Sequence, residues 1–93
     1  IVQAGDARSL ALQAVREGRR QNWDEVDKLM KECDSAMVKA HEVQTELIQR
    51  ELNGAPVEMN LLMVHAQDHV MNAMTVRDLA AEMLSMLGSK TEY

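Results

Sequence analysis

Leu62-Met63-Val64-His65-Ala66-Gln67-Asp68-His69-Val70-Met71-Asn72-Ala73 is the stretch on which the fold and the chemistry of this chain both turn. Leu62, Ala66 and Ala73 recur at helical spacing and continue through Val76, Ala80, Met83 and Leu87, a seam broken only by His69. At ~100° per residue, Asp68 falls about 60° to one side of His65 and His69 about 40° to the other. Two imidazoles and a carboxylate therefore share about one turn of a helix whose neighbours are apolar. Such a cluster costs stability unless its members have partners. Something outside this helix must supply them: a metal, a phosphoryl group or another subunit.

Working outward, two breaks divide the chain. In Glu17-Gly18-Arg19-Arg20-Gln21-Asn22, Gly18 can close one helix and Asn22 can cap the next, with Glu25 at capping-box spacing. In Asn53-Gly54-Ala55-Pro56, glycine and proline mark a turn. Three helices are predicted, over about 1–18, 23–52 and 58–88, with Gly88 as the last C-cap. Ala4, Ala7, Ala11 and Ala14 give the first a small-residue face, beside a stripe of Ile1, Gly5, Leu12 and Val15 that Arg8 interrupts. Val26, Met30, Cys33, Met37, Ala40 and Leu47 give the second a seam broken by Gln44. Short loops between long helices make neighbours antiparallel, so residues 1–93 are expected to form one all-α domain, an up-down-up three-helix bundle. Val64, Met71, Met74, Met63 and Leu84 lie off the main seam of the third helix. A thin rod buries little of its surface alone, so this second apolar face, which also carries Asp68, predicts an oligomer.

Composition narrows the partners. Net charge is -5 and the pI about 5.1, which argues against nucleic acid and anionic lipid. The lone Cys33 can form no internal disulfide and reads as a small core residue. No apolar run approaches the ~18 residues of a membrane span, and no signal peptide is visible. Trp23 and Tyr93 sit near element ends, outside the core stripes. The chain enters a helical pattern at Ile1 without a Met, from which a missing N-terminal segment is expected.

Several chemistries compete for the cluster. His65 and His69 stand at i and i+4, but Ala66 occupies the position where a zinc hydrolase needs its Glu. His65 can instead act as a phosphoryl acceptor, because neutral imidazole is nucleophilic near pH 7. If Asn60 caps the third helix, a group on His65 leans toward free amides and the positive end of the dipole, with Gln67 and His69 as nearby donors. Against this stands a plain reading in which both histidines are hydrogen-bonded interface residues, and physics alone tips narrowly toward it. Copies of Asp68 meeting on a symmetry axis would need protonation or a hard cation; an ion pair with a neighbour's Arg or Lys is an equal alternative. Arg8 is expected to pair with an acidic residue of the bundle before it contacts phosphate. Arg77, roughly 18 Å along the helix from His65, is out of reach of a group there.

Four colinear blocks resemble one known family. Val64-His65-Ala66-Gln67-Asp68-His69-Val70-Met71 is similar to the active-site motif of the lactose/cellobiose/N,N'-diacetylchitobiose class of enzyme IIA, from the bacterial phosphoenolpyruvate-dependent sugar phosphotransferase system. Ala4-Gly5-Asp6-Ala7-Arg8-Ser9-Leu10-Ala11, Ala40-His41-Glu42-Val43-Gln44-Thr45-Glu46-Leu47-Ile48 and Arg77-Asp78-Leu79 resemble its other blocks. Val70, Asn72, Gln3 and Asp6 are mild departures that leave the chemistry intact. The resemblance implies a cytoplasmic homotrimer. In it, His65 accepts phosphoryl from HPr and passes it to a cysteine of the cognate enzyme IIB, during uptake of a lactose-, cellobiose- or chitobiose-type sugar that the protein does not itself bind. It further implies that Asp68 binds a divalent cation, Mg2+ by expectation, one per trimer on the axis. It makes His69, Gln67, His41 and Gln44 candidates to line the site. A non-catalytic regulatory or scaffolding trimer is the alternative. A two-component histidine-phosphotransfer domain fits poorly, since Ala-Gln-Asp follows His65 where Lys and Gly are usual there.

Overall fold

The computed structural model describes residues 2–93 as a rod of 49 × 21 × 18 Å. Three helices run in sequence, α1 Val2–Arg19, α2 Trp23–Leu52 and α3 Leu61–Met86, with no strand among the described residues. Ile1, expected to open the first helix and its mixed stripe, lies outside the described residues.

α1 is the keystone. Ala4, Ala7, Ala11 and Ala14 are all 0% exposed, and Gly18 extends the same buried line. With almost no side chain on that face, α1 approaches both α2 and α3 closely, whereas α2 and α3 touch each other least. Gly18 does not close α1, as its sequence context suggests, but sits inside the last turn. A Cβ there would stand 2.6 Å from Leu84 Cδ2, so the glycine is needed for approach.

The left-handed residue that ends α1 is Gln21, at φ 61°. Its amide bonds to the Gly18 carbonyl at 3.0 Å and that of Asn22 to Glu17 at 3.0 Å, the paired closure of a Schellman motif. Gly54 (φ 82°) and Gly88 (φ 108°) close α2 and α3 in the same way. The capping box expected at Asn22 is absent. Its side chain makes no cap bond and instead donates to Glu17 Oε2 at 3.1 Å. α3 begins at Leu61, later than position 58, because the Asn60 side chain accepts from the Met63 amide at 2.8 Å and fixes the first turn there.

The buried face of α3 is rotated from the predicted seam. Val70, Ala73, Ala80 and Leu84 are buried, while Leu62 (66%), Met83 (47%) and Leu87 (39%) are exposed. Leu84, assigned to the second apolar face, is 0% exposed. The rotation, about 45° at ~100° per residue, follows from α1 being the main neighbour of α3. α2 keeps its expected line, with Val26, Met30, Cys33, Ala40 and Gln44 buried and Leu29 added.

The core has two parts. Around Trp23, the larger side chains Val26, Leu29, Met30 and Leu84 pack with Ala14, and Trp23 and Tyr93 lean on them. Both aromatics thus take part in packing despite lying at element ends. Further along, alanines dominate: Ala4, Ala7, Ala11, Ala40, Ala73 and Ala80, with Cys33 and Val70. Arg77 crosses from α3 to α2, its Nε 2.8 Å and its Nη2 3.3 Å from the two carboxylate oxygens of Asp34, and it also donates to the Tyr93 carbonyl.

Candidate functional site

The Asn60 cap sets the position of His65, one turn beyond the first residue of α3. His65 is exposed and His69 half-buried. Their rings stand 4.8 Å apart between centroids and are tilted by 47°, as expected for side chains at i and i+4 that lean the same way. Asp68 is exposed, and its Oδ2 accepts from Asn72 Nδ2 at 3.2 Å.

These residues open onto one cavity of about 390 Å³. α3 contributes His65, Asp68, His69 and Asn72, with Thr75 and Val76 beyond them, and Ala4 and Arg8 of α1 form the facing wall. The small side chain of Ala4 leaves this space, and Arg8, one turn further along α1, reaches its edge. Arg8 does not pair within the bundle. No carboxylate lies within 4.0 Å of it among the described residues. The sequence marked Arg8 as a charge interrupting a stripe and as an ion-pair partner before a phosphate contact, and it marked Thr75 not at all.

Three of the expected lining residues lie elsewhere in the single chain. Gln44 and Gln67 line a different opening of about 390 Å³, between the far end of α2 and the start of α3. Gln44 Nε2 lies 3.4 Å from Met71 Sδ, and Gln67 Nε2 lies 3.9 Å from Met63 Sδ; thioethers are weak acceptors. His41 lines a groove of about 410 Å³ with Asp34, Met37, Met74 and Arg77. The reason is angular. Gln67 stands about 160° around α3 from His65 at ~100° per residue, and the His65 cavity is walled by α1, so no side chain of α2 reaches it.

Cys33 is 0% exposed, and its Sγ donates to the Ala7 carbonyl at 3.2 Å. Burial, and secondarily the charge of Asp34, pushes its thiol up to about 11. It is a protonated structural group and no nucleophile near neutrality. The Arg77 guanidinium is raised above its ordinary value, chiefly by the hydrogen bond to Asp34, so this bridge holds its charge. Among the described residues of one chain, no three His, Cys, Asp or Glu side chains converge as a metal site. Among the described residues, no helix is long and apolar enough to cross a membrane.

Comparison with known proteins places this geometry. The family model described as "PTS system, Lactose/Cellobiose specific IIA subunit" matches residues 1–88. The lichenan-specific phosphotransferase enzyme IIA component of Bacillus subtilis is 46% identical over 99% of this chain and 84% of its own length. The N,N'-diacetylchitobiose-specific EIIA component of Escherichia coli K12 is 34% identical over 92% of this chain and 74% of its own. The crystal structure of the cellobiose-specific enzyme IIA from Bacillus anthracis superposes with a TM-score of 0.90 at 42% identity, covering 94% of this chain and 80% of that one.

Proposed function

Since the chain belongs to the lactose/cellobiose-specific IIA family of the sugar phosphotransferase system, whose members are phosphoryl carriers, we propose that His65 is the residue that carries the phosphoryl group. The observation that supports this choice is access. Of the two neighbouring imidazoles, His65 is the exposed one, at the mouth of an open cavity on one side of the rod. A carrier must present its acceptor to two proteins in turn. A ring nitrogen of His65 attacks phosphorus on the phosphohistidine of HPr, and the donor's P–N bond breaks as the new one forms. The group then passes to the cysteine sulfur of the cognate enzyme IIB, leaving free imidazole. The first-turn amides of α3 and its positive dipole end lie on the side toward which His65 leans, which favours the added negative charge. The group carried belongs to uptake of a lactose-, cellobiose- or chitobiose-type sugar in the cytoplasm, and the sugar itself is bound by the membrane component.

The chain acts as a homotrimer in this reading. Val64 (50%), Met71 (52%) and Leu79 (52%) are exposed along one side of α3, and Asp68 lies among them. One carboxylate per chain cannot hold a cation firmly, but Asp68 fits a shared site. It is exposed, and the protein side chain that bonds it, Asn72, occupies only Oδ2. Asp68 and its symmetry copies would hold one Mg2+ through oxygen ligands. The ion's chemistry there is neutralisation of carboxylates that otherwise repel.

Intact-mass spectrometry after incubation with phosphoenolpyruvate, enzyme I and HPr tests the carrier role. One acid-labile phosphoryl group per chain is expected, absent in His65→Ala. A folded His65→Ala protein that still gains the group would remove His65 from the role. A wild-type protein that gains none would leave a scaffolding trimer.

A further inference from the structure

Arg8 is the unclaimed charge of the cavity. It is the one Arg or Lys among the residues that line it, in a chain of net charge -5, so composition alone does not put a cation opposite His65. Asp68 shares the cavity, yet lies beyond 4.0 Å of the guanidinium, and one of its oxygens is taken by Asn72. Thr75 Oγ1 donates to the Met71 carbonyl and is committed to its own helix. Arg8 is exposed, so its guanidinium is free to turn to a ligand in the cavity. A tetrahedral dianion attached to His65, which lines the same cavity, would give it a counter-charge.

We infer that Arg8 is a catalytic residue of the transfer, its guanidinium contacting the phosphoryl oxygens while the group sits on His65. This rests on the carrier role proposed for His65. Guanidinium presents donors in a planar fork that matches two phosphoryl oxygens, and such charge-assisted pairs are about twice as strong as neutral ones. Phosphoryl transfer depends mainly on positioning and on stabilising charge spread over those oxygens. Arg8 supplies that from a second helix, so the acceptor comes from α3 and the stabilising charge from α1. No bond to Arg8 forms or breaks.

The test uses wild type, His65→Ala, Arg8→Gln and Arg8→Lys, each phosphorylated by phosphoenolpyruvate, enzyme I and HPr. The readouts are kcat and KM for phospho-HPr, the half-life of the phosphorylated protein, and melting and oligomeric state before phosphorylation. Arg8→Gln is expected to lower kcat by about tenfold to a hundredfold and to shorten the half-life of the phospho form. Its unphosphorylated melting and assembly should match wild type, and Arg8→Lys should recover part of the rate. Wild-type kcat and half-life in Arg8→Gln would overturn the inference while leaving His65 as carrier. So would a loss of rate that Asp68→Asn restores in the double variant, which would make Arg8 a counter-ion to Asp68. Failure of wild type itself to take the group would bring down the carrier role and this inference with it.

Discussion

The Trp23 end and the His65 end of the rod are built on opposite terms. At the Trp23 end, Leu84, Met30 and Val26 are all 0% exposed, Gly18 admits Leu84 against α1, and Trp23 and Tyr93 cover the outside. At the His65 end the packing is alanine, and large apolar side chains point outward: Leu52 at 73%, Met59 at 69% and Leu61 at 85%. The Trp23 end is finished inside by large side chains, although Met86 there is 86% exposed. The His65 end has an alanine core, and the candidate site lies there.

The largest expected effect on stability breaks the finished end. Leu84→Ala should cost about 3 kcal/mol in urea unfolding, from lost burial plus the cavity left beside Gly18 and Met30. Leu61→Ala at the other end should change stability by about 0.5 kcal/mol or less. Equal costs at the two positions would mean the ends are not packed differently after all.

Cys33 sharpens the contrast from the middle of the rod. Its thiol titrates near 9.0 when exposed and at about 11 in the fold, so between those values the unfolded chain releases a proton that the folded one keeps. The stabilisation is whole below pH 9 and is lost progressively as pH rises to 11. At about 1.4 kcal/mol per unit of pKa, it is of order 2–3 kcal/mol. Unfolding from pH 8 to 11 should show Cys33→Ala losing stability less steeply than wild type. Parallel curves would mean the thiol is less enclosed than its contact with the Ala7 carbonyl indicates.

The smallest effect is a gain. Gln21 holds a left-handed conformation that glycine adopts without steric cost, and the other two helices end on Gly54 and Gly88. Gln21→Gly should raise stability by about 0.5 kcal/mol, net of the entropy that glycine adds to the unfolded chain. A rise in melting temperature with unchanged phosphoryl uptake would confirm that this turn only finishes the Trp23 end. A fall would show that the Gln21 side chain contributes there.

What could be read in advance depended on whether a residue's role was local. The alanine face of α1, the Asn60 cap and the pairing of His65 with His69 follow from spacing along one helix, which is fixed by helical geometry. The seam of α3 was misjudged because several faces of that helix are apolar. Only the neighbouring helices decide that Leu84 goes inside, against Ala14 of α1 and Val26, Leu29 and Met30 of α2, while Met83 stays out. His41, Gln44 and Gln67 were grouped with His65 as lining residues, but within one chain none of them lines its cavity, whose walls are α1 and α3.

The sequence by itself therefore determined three helices, their breaks, the small-residue face of α1 and the place of His65 near a helix start, since each is set within a few residues of chain. Only the tertiary structure decided the rotation of α3, the Arg77–Asp34 bridge across 43 positions and the cavity that Arg8 and His65 line together. Those arise where helices pack side by side, and the direction in which a face is turned is settled by the neighbour it meets.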